Sequence, residues 1–82
     1  SPAVRDAALV QLQELLMRGA RHELARRRAS LADLSRDEIG DLATQAADDA
    51  LVAILAKLDT FRGESRFTTW AYKFVLLEAG VK

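Results

Sequence analysis

No second proline follows Pro2 in this chain of 82 residues, and only four glycines interrupt it. Turn-rich sheet folds need both residue types at regular intervals, because proline fixes φ and glycine supplies positive φ. A multi-stranded fold is therefore disfavoured. Half of the residues are hydrophobic, alanine and leucine dominate, and β-branched residues are few, which favours helices packed on helices. A chain of this length has room for one core. The expectation is an all-α, three-helix domain in which a long first helix packs on two further helices.

Residues 1–34 read as a helix and its connector. Ser1-Pro2 supplies a capping hydroxyl and a proline at the first helical position. Val4, Ala8, Leu12, Leu15, Leu16, Gly19 and Leu24 recur at helical spacing. Gly19 marks either a close helix–helix approach or a weak point costing about 1 kcal/mol against alanine. Arg26-Arg27-Arg28 suits a helix C-terminus, where cations oppose the dipole, so the first helix is expected to end near Ala29. Residues 35–60 form the second helix, opened by Ser35-Arg36-Asp37-Glu38 in the form of a capping box. Its apolar stripe is Ile39, Ala43, Ala46, Ala50, Ile54 and Leu58, reinforced by Leu42, Leu51 and Leu55. Asp41, Gln45, Asp48, Asp49 and Val52 lie on another side. Residues 61–82 turn at Gly63 and enter a third helix, with Ser65 as its expected cap and Phe67, Trp70, Ala71, Phe74 and Leu77 facing inward. That helix carries no stop signal before Gly80, so the polypeptide is expected to continue beyond Lys82.

The formal net charge of zero conceals an uneven distribution. The first and last segments are net basic and the middle one is net acidic, which suggests different surfaces for different partners or else ordinary solvated helix faces. The chain has no cysteine, so neither disulfides nor thiolate metal sites hold it together, and a reducing cytoplasm is compatible with that. No apolar run reaches the ~20 residues of a membrane span and no signal-peptide pattern precedes the first helix. A soluble helical domain is expected, with no membrane partner.

Catalytic chemistry is hard to assemble from these residues. Asp48 and Asp49 diverge by ~100° on a helix and are poorly placed as an acid–base pair. His22, the one histidine, has neither a cysteine partner nor a histidine one turn away, so it reads as a surface residue and no metal or cofactor is expected. Gly63 belongs to no phosphate-cradling pattern. The chain is expected not to be an enzyme.

The segment Phe61-Arg62-Gly63-Glu64-Ser65-Arg66-Phe67-Thr68-Thr69-Trp70 carries most of the information. It interleaves arginines, hydroxyls and aromatics across a glycine turn into a helix start. Arginines suit phosphates, ring faces suit bases, and free amides at a helix start suit anions, a combination fitted to single-stranded DNA. On these grounds alone the favoured reading is a core with a polar loop, in which Phe61, Phe67 and Trp70 are buried anchors. The segment resembles region 2 of extracytoplasmic-function sigma factors, whose signature there is Phe-Arg-Gly-(Asp/Glu)-Ser-x-Phe-x-x-Trp, and every fixed position is met. Upstream, Gln45-Ala46-Ala47-Asp48-Asp49 falls where that family has an Asp-Leu-x-Gln-Glu-like motif, and Leu58-Asp59-Thr60-Phe61 closes the helix as in the family. The resemblance covers roughly residues 41–77, and the first helix follows by pattern.

The resemblance implies that residues 1–34 are a region 2.1-like helix and connector, 35–60 the region 2.2 helix and 61–82 regions 2.3 and 2.4, with region 4 outside these residues. It implies a bacterial, cytoplasmic transcription initiation factor that binds core RNA polymerase at the clamp helices of β′, through Asp41, Gln45, Asp48, Asp49 and Val52. It implies recognition and melting of the promoter −10 element through the single-stranded non-template strand. Arg62, Gly63, Glu64, Ser65, Arg66, Thr68, Thr69 and Lys73 would contact DNA, and Phe61, Phe67, Trp70 and Phe74 would be core anchors. An anti-sigma factor is a further partner of such proteins. This chain departs from the family at Gln45, which replaces an acid, at Asp48-Asp49, which replace Gln-Glu, and at Leu77, where many relatives carry an asparagine. Primary sigma factors have two adjacent tryptophans where Lys73-Phe74 stand here. Two other functional classes remain open, a helix-turn-helix regulator that binds duplex DNA and a helical interaction module without a nucleic-acid role.

Overall fold

The structure is a computed structural model that describes residues 1–27 and 29–80. It contains α1 (Pro2–Arg26), α2 (Arg36–Lys57), a single 3₁₀ turn over Leu58–Thr60, and α3 (Phe67–Gly80), each helix packing on the other two. Among the described residues there is no strand, in line with the all-α expectation. No helix among them is long and apolar enough to cross a membrane.

The helix starts follow local chemistry. The Ser1 hydroxyl accepts the Val4 amide at 3.4 Å, with Pro2 at the first helical position. At α2 the capping box is complete: the Glu38 amide donates to Ser35 Oγ at 3.1 Å and the Ser35 amide donates to Glu38 Oε1 at 3.0 Å. The bond from the Ser35 amide first, and then the Ser35 hydroxyl, hold the Glu38 carboxyl below its ordinary pKa. At α3 the expectation fails. The helix begins at Phe67, with the Arg66 carbonyl accepting the Trp70 amide at 3.0 Å, so Ser65 lies one residue too early to cap it and donates instead to the Arg66 carbonyl at 3.4 Å.

The core consists of Leu16, Ala20 and Leu24 of α1, Ala43, Ala46, Ala47, Ala50 and Ile54 of α2, and Ala71, Val75 and Ala79 of α3. Most of these side chains are single methyl groups, so the helix backbones approach closely. The large fully buried side chains are Leu16, Leu24, Ile54 and Val75, each worth about 1.5–3 kcal/mol of apolar burial. Gly19 is one consequence of the close approach. A Cβ built there would sit 2.7 Å from Cε2 of Tyr72 and 3.3 Å from Cγ1 of Val75, so the glycine makes space for the Tyr72 ring.

Three helix-face expectations are corrected. Leu77 is 68% exposed, because the buried face of α3 runs Ala71, Val75, Ala79 and a residue two positions from that row points about 200° away. Leu55 and Leu58 are also exposed, Leu55 one residue off the Ile54 row and Leu58 in the 3₁₀ turn where α2 has ended. Val4 and Ala8 are exposed as well, since the buried residues of α1 begin only at Leu16. The end of α1 falls at Arg26 instead of near Ala29. Arg27 leaves the helical region at φ −105 and ψ 26, and its guanidinium donates to the Ala79 carbonyl in the last turn of α3. The cation thus meets the negative end of a neighbouring helix. Arg28 lies outside the described residues, and so do Val81 and Lys82.

Candidate functional site

The segment between α2 and α3 is organised around four aromatic rings. Phe61 meets Phe67 edge-on at 5.5 Å and Trp70 at 5.2 Å, Phe67 meets Trp70 at 5.7 Å, and Trp70 meets Phe74 at 4.9 Å. The four rings are half-buried, and Phe67, Trp70 and Phe74 pack on the core. Phe61 is held through the other rings. These residues therefore anchor the loop, and ring edges and faces still reach the surface. Contacts of this kind add about 0.5–1.5 kcal/mol per pair beyond area burial.

The polar residues of the loop are set by one backbone conformation. Gly63 has φ +74, and a Cβ there would meet nothing within 4 Å. Glycine is needed at this position for its handedness and not for space. With the chain reversed there, Thr60, Phe61, Arg62, Glu64, Ser65, Trp70 and Lys73 line a recess of about 190 Å³. That is below the ~300–1,000 Å³ of sites for drug-sized ligands. Its lining includes two aromatic side chains (Phe61, Trp70), two cationic donors (Arg62, Lys73) and a carboxylate (Glu64). The Thr60 hydroxyl donates to the Lys57 carbonyl at 2.6 Å, so its oxygen faces other partners as an acceptor.

The residues expected to act together on DNA divide. Arg62, Glu64, Ser65 and Lys73 converge on the recess, with Gly63 turning the loop that carries them. Arg66, Thr68 and Thr69 are exposed but stand outside it. Thr68 borders a groove against Leu12, Leu15 and Arg18 of α1. Thr69 borders a shallower depression with Tyr72, Lys73 and Leu76. Thr60 is the lining residue that sequence reading missed, although its place directly before Phe61 was a usable signal.

On α2, Asp41, Gln45, Asp48 and Val52 are exposed, with Val52 at 68%. Asp49 is half-buried and is itself engaged in an interaction. Four of the five residues expected to dock a partner thus share an open face, acidic at one end and apolar at Val52.

A second polar group lies inside the bundle. Glu23, 6% exposed, accepts the Tyr72 hydroxyl at 3.0 Å and Arg26 Nη1 at 3.3 Å on each carboxylate oxygen. Burial, together with the Glu23 carboxylate as acceptor and as charge, pushes the Tyr72 phenol above its ordinary pKa. The sequence held a signal for this. Glu23 stands seven residues from Leu16, on the buried row of α1. His22 is exposed, and among the described residues no group of three or more His, Cys, Asp or Glu could hold a metal ion. Compared with protein-family models, curated proteins and solved structures, the chain matches none.

Proposed function

We propose that this chain is the region 2 domain of an extracytoplasmic-function sigma factor. In this reading it docks on core RNA polymerase through the exposed face of α2 and opens the promoter −10 element by capturing a base of the non-template strand. One observation carries the reading. Five residues of the resemblance, Phe61, Arg62, Glu64, Ser65 and Trp70, line one recess together with Thr60 and Lys73, so aromatic rings and cations lie side by side there. Extruding a base costs a few kcal/mol, and stacking on aromatic rings returns ~1–3 kcal/mol per base. Arg62 and Arg66, both exposed, supply phosphate attraction on the same loop.

The acidic-to-apolar face of α2 fits a basic helical partner, which is the chemistry expected at the polymerase clamp helices. The helix-turn-helix reading has less support. Its recognition helix would present basic residues to the major groove, and in α3 the basic residue is Lys73 alone. The test compares binding of a labelled single strand, a −10 sequence selected with core polymerase, with binding of its duplex. Preference for the single strand supports the proposal. Preference for the duplex favours the helix-turn-helix reading, and binding of neither leaves an interaction module.

A further inference from the structure

At the other end of α2 from the aromatic loop, Arg21, Leu24 and Ala25 of α1 and Arg36, Ile39 and Gly40 of α2 line a groove of about 410 Å³. That volume falls within the ~300–1,000 Å³ of small-molecule sites. Leu24, Ala25 and Ile39 make the lining apolar, and its charged groups are two guanidiniums with no acid among them. Both arginines are exposed, and among the described residues neither forms an ion pair. At 1.5 Å of rise per helical residue, the groove lies about 30 Å along the chain direction of α2 from the recess at Thr60.

Nothing among the described residues accounts for Gly40. It stands inside α2, where glycine is the least favourable residue after proline. Its φ is not positive, so handedness does not call for it. A Cβ built there meets nothing within 4 Å, so no neighbour takes the space, in contrast to the Tyr72 ring at Gly19. What the missing side chain leaves is open access from the groove to the α2 backbone. We infer that the groove binds a small amphipathic carboxylate, an aliphatic chain of medium length with one anionic head. The aliphatic chain lies on Leu24, Ala25, Ile39 and the bare backbone at Gly40, and the carboxylate accepts from Arg21 and Arg36. A guanidinium offers a carboxylate two parallel donors, whereas a cationic head is repelled by both arginines. A molecule held in this way touches α1 and α2 together and stabilises the folded chain.

The probe is octanoate, titrated into the isotope-labelled chain and followed by two-dimensional NMR, with octanol, octylammonium and acetate as controls. Octanoate is expected to shift the amides of Ala25, Ile39 and Gly40 saturably and to raise the thermal midpoint. Octanol lacks the charge and acetate the tail, so each should bind more weakly, and octylammonium should leave these amides unmoved. Arg21→Ala and Arg36→Ala should each weaken octanoate roughly tenfold, the scale of a hydrogen bond to a charged group, and leave octanol unchanged. Gly40→Ala should raise the thermal midpoint of the free chain through helix propensity yet weaken octanoate, opposite movements that a merely structural glycine would not give. No saturable shift, shifts spread over the whole surface, equal binding of octanol, or full octanoate affinity in both arginine variants or in Gly40→Ala would overturn the inference. None of these outcomes bears on the single-strand reading, whose residues lie at the other end of α2.

Discussion

The Tyr72 hydroxyl of α3 donates a 3.0 Å hydrogen bond to the Glu23 carboxylate of α1, and Gly19, one turn before Glu23, leaves the space that the Tyr72 ring occupies. Glu23 is 6% exposed, and a buried carboxylate needs such partners, because removing one leaves a charge that is neither hydrated nor fully paired. The pair ties α1 to α3.

Tyr72→Phe keeps the ring and removes the donor. A stability loss of about 1.5–3 kcal/mol is expected, the range for hydrogen bonds to charged groups, measured by urea unfolding. The phenol also predicts a pH dependence. Its pKa is raised in the folded state, so the folded chain holds this proton more tightly than the unfolded one. The stabilisation is complete below the unfolded value of about 10 and is lost as pH rises through the folded value. Wild type should lose stability above about pH 10 relative to Tyr72→Phe, and parallel curves for the two proteins would count against the assignment.

Gly19→Ala tests the close approach. Alanine gains about 1 kcal/mol of helix propensity, and a Cβ 2.7 Å from the Tyr72 ring brings overpacking of about 1–3 kcal/mol. A net destabilisation of about 1 kcal/mol is expected. In a Tyr72→Ala background the same substitution should become neutral or stabilising, and a double-mutant cycle by thermal unfolding measures the difference.

For the loop, Arg62→Ala and Arg66→Ala should weaken single-strand binding and reduce the slope of log K against log salt by about 0.7 for each lost phosphate contact. Both residues are exposed, so folding should change by no more than ~0.5 kcal/mol. Wild-type binding by both variants at every salt concentration would remove the loop from the interface.

For α2, Asp41→Arg combined with Asp48→Arg reverses charge at two exposed positions and should weaken capture by core RNA polymerase at unchanged thermal stability. Asp49 is a poorer choice for this test because it is half-buried and engaged. Unchanged affinity in a pull-down titration would reject this face.

The three helices, both ends of the capping box and the buried alanine row of α2 were legible in the sequence, because each depends on spacing or on chemistry within one turn. The turn at Gly63 was legible for the same reason. Leu77 misled because the aromatics Phe67, Trp70 and Phe74 suggested a stripe, whereas the α3 face against the other helices is set by the smaller Ala71, Val75 and Ala79. Residue size was a poorer guide than fit in a core built mainly of methyl groups. The Glu23–Tyr72 bond and the Arg27–Ala79 bond join residues 49 and 52 positions apart, and no local pattern encodes such pairings. The recess needed both ends of the loop and one turn of α3, so sequence reading found its loop but not Thr60.

The requirement at Gly63 concerns chirality alone, since the space around it is open. A D-alanine placed there should be accommodated and should stiffen the loop, while L-alanine should strain it. The neighbouring Arg62, Glu64 and Ser65 are all exposed and play no part in the core. Shape and reading chemistry are thus assigned to different residues. A lineage of such chains could change its preferred ligand by substituting the residues beside Gly63, generation after generation, without disturbing the bundle that supports them.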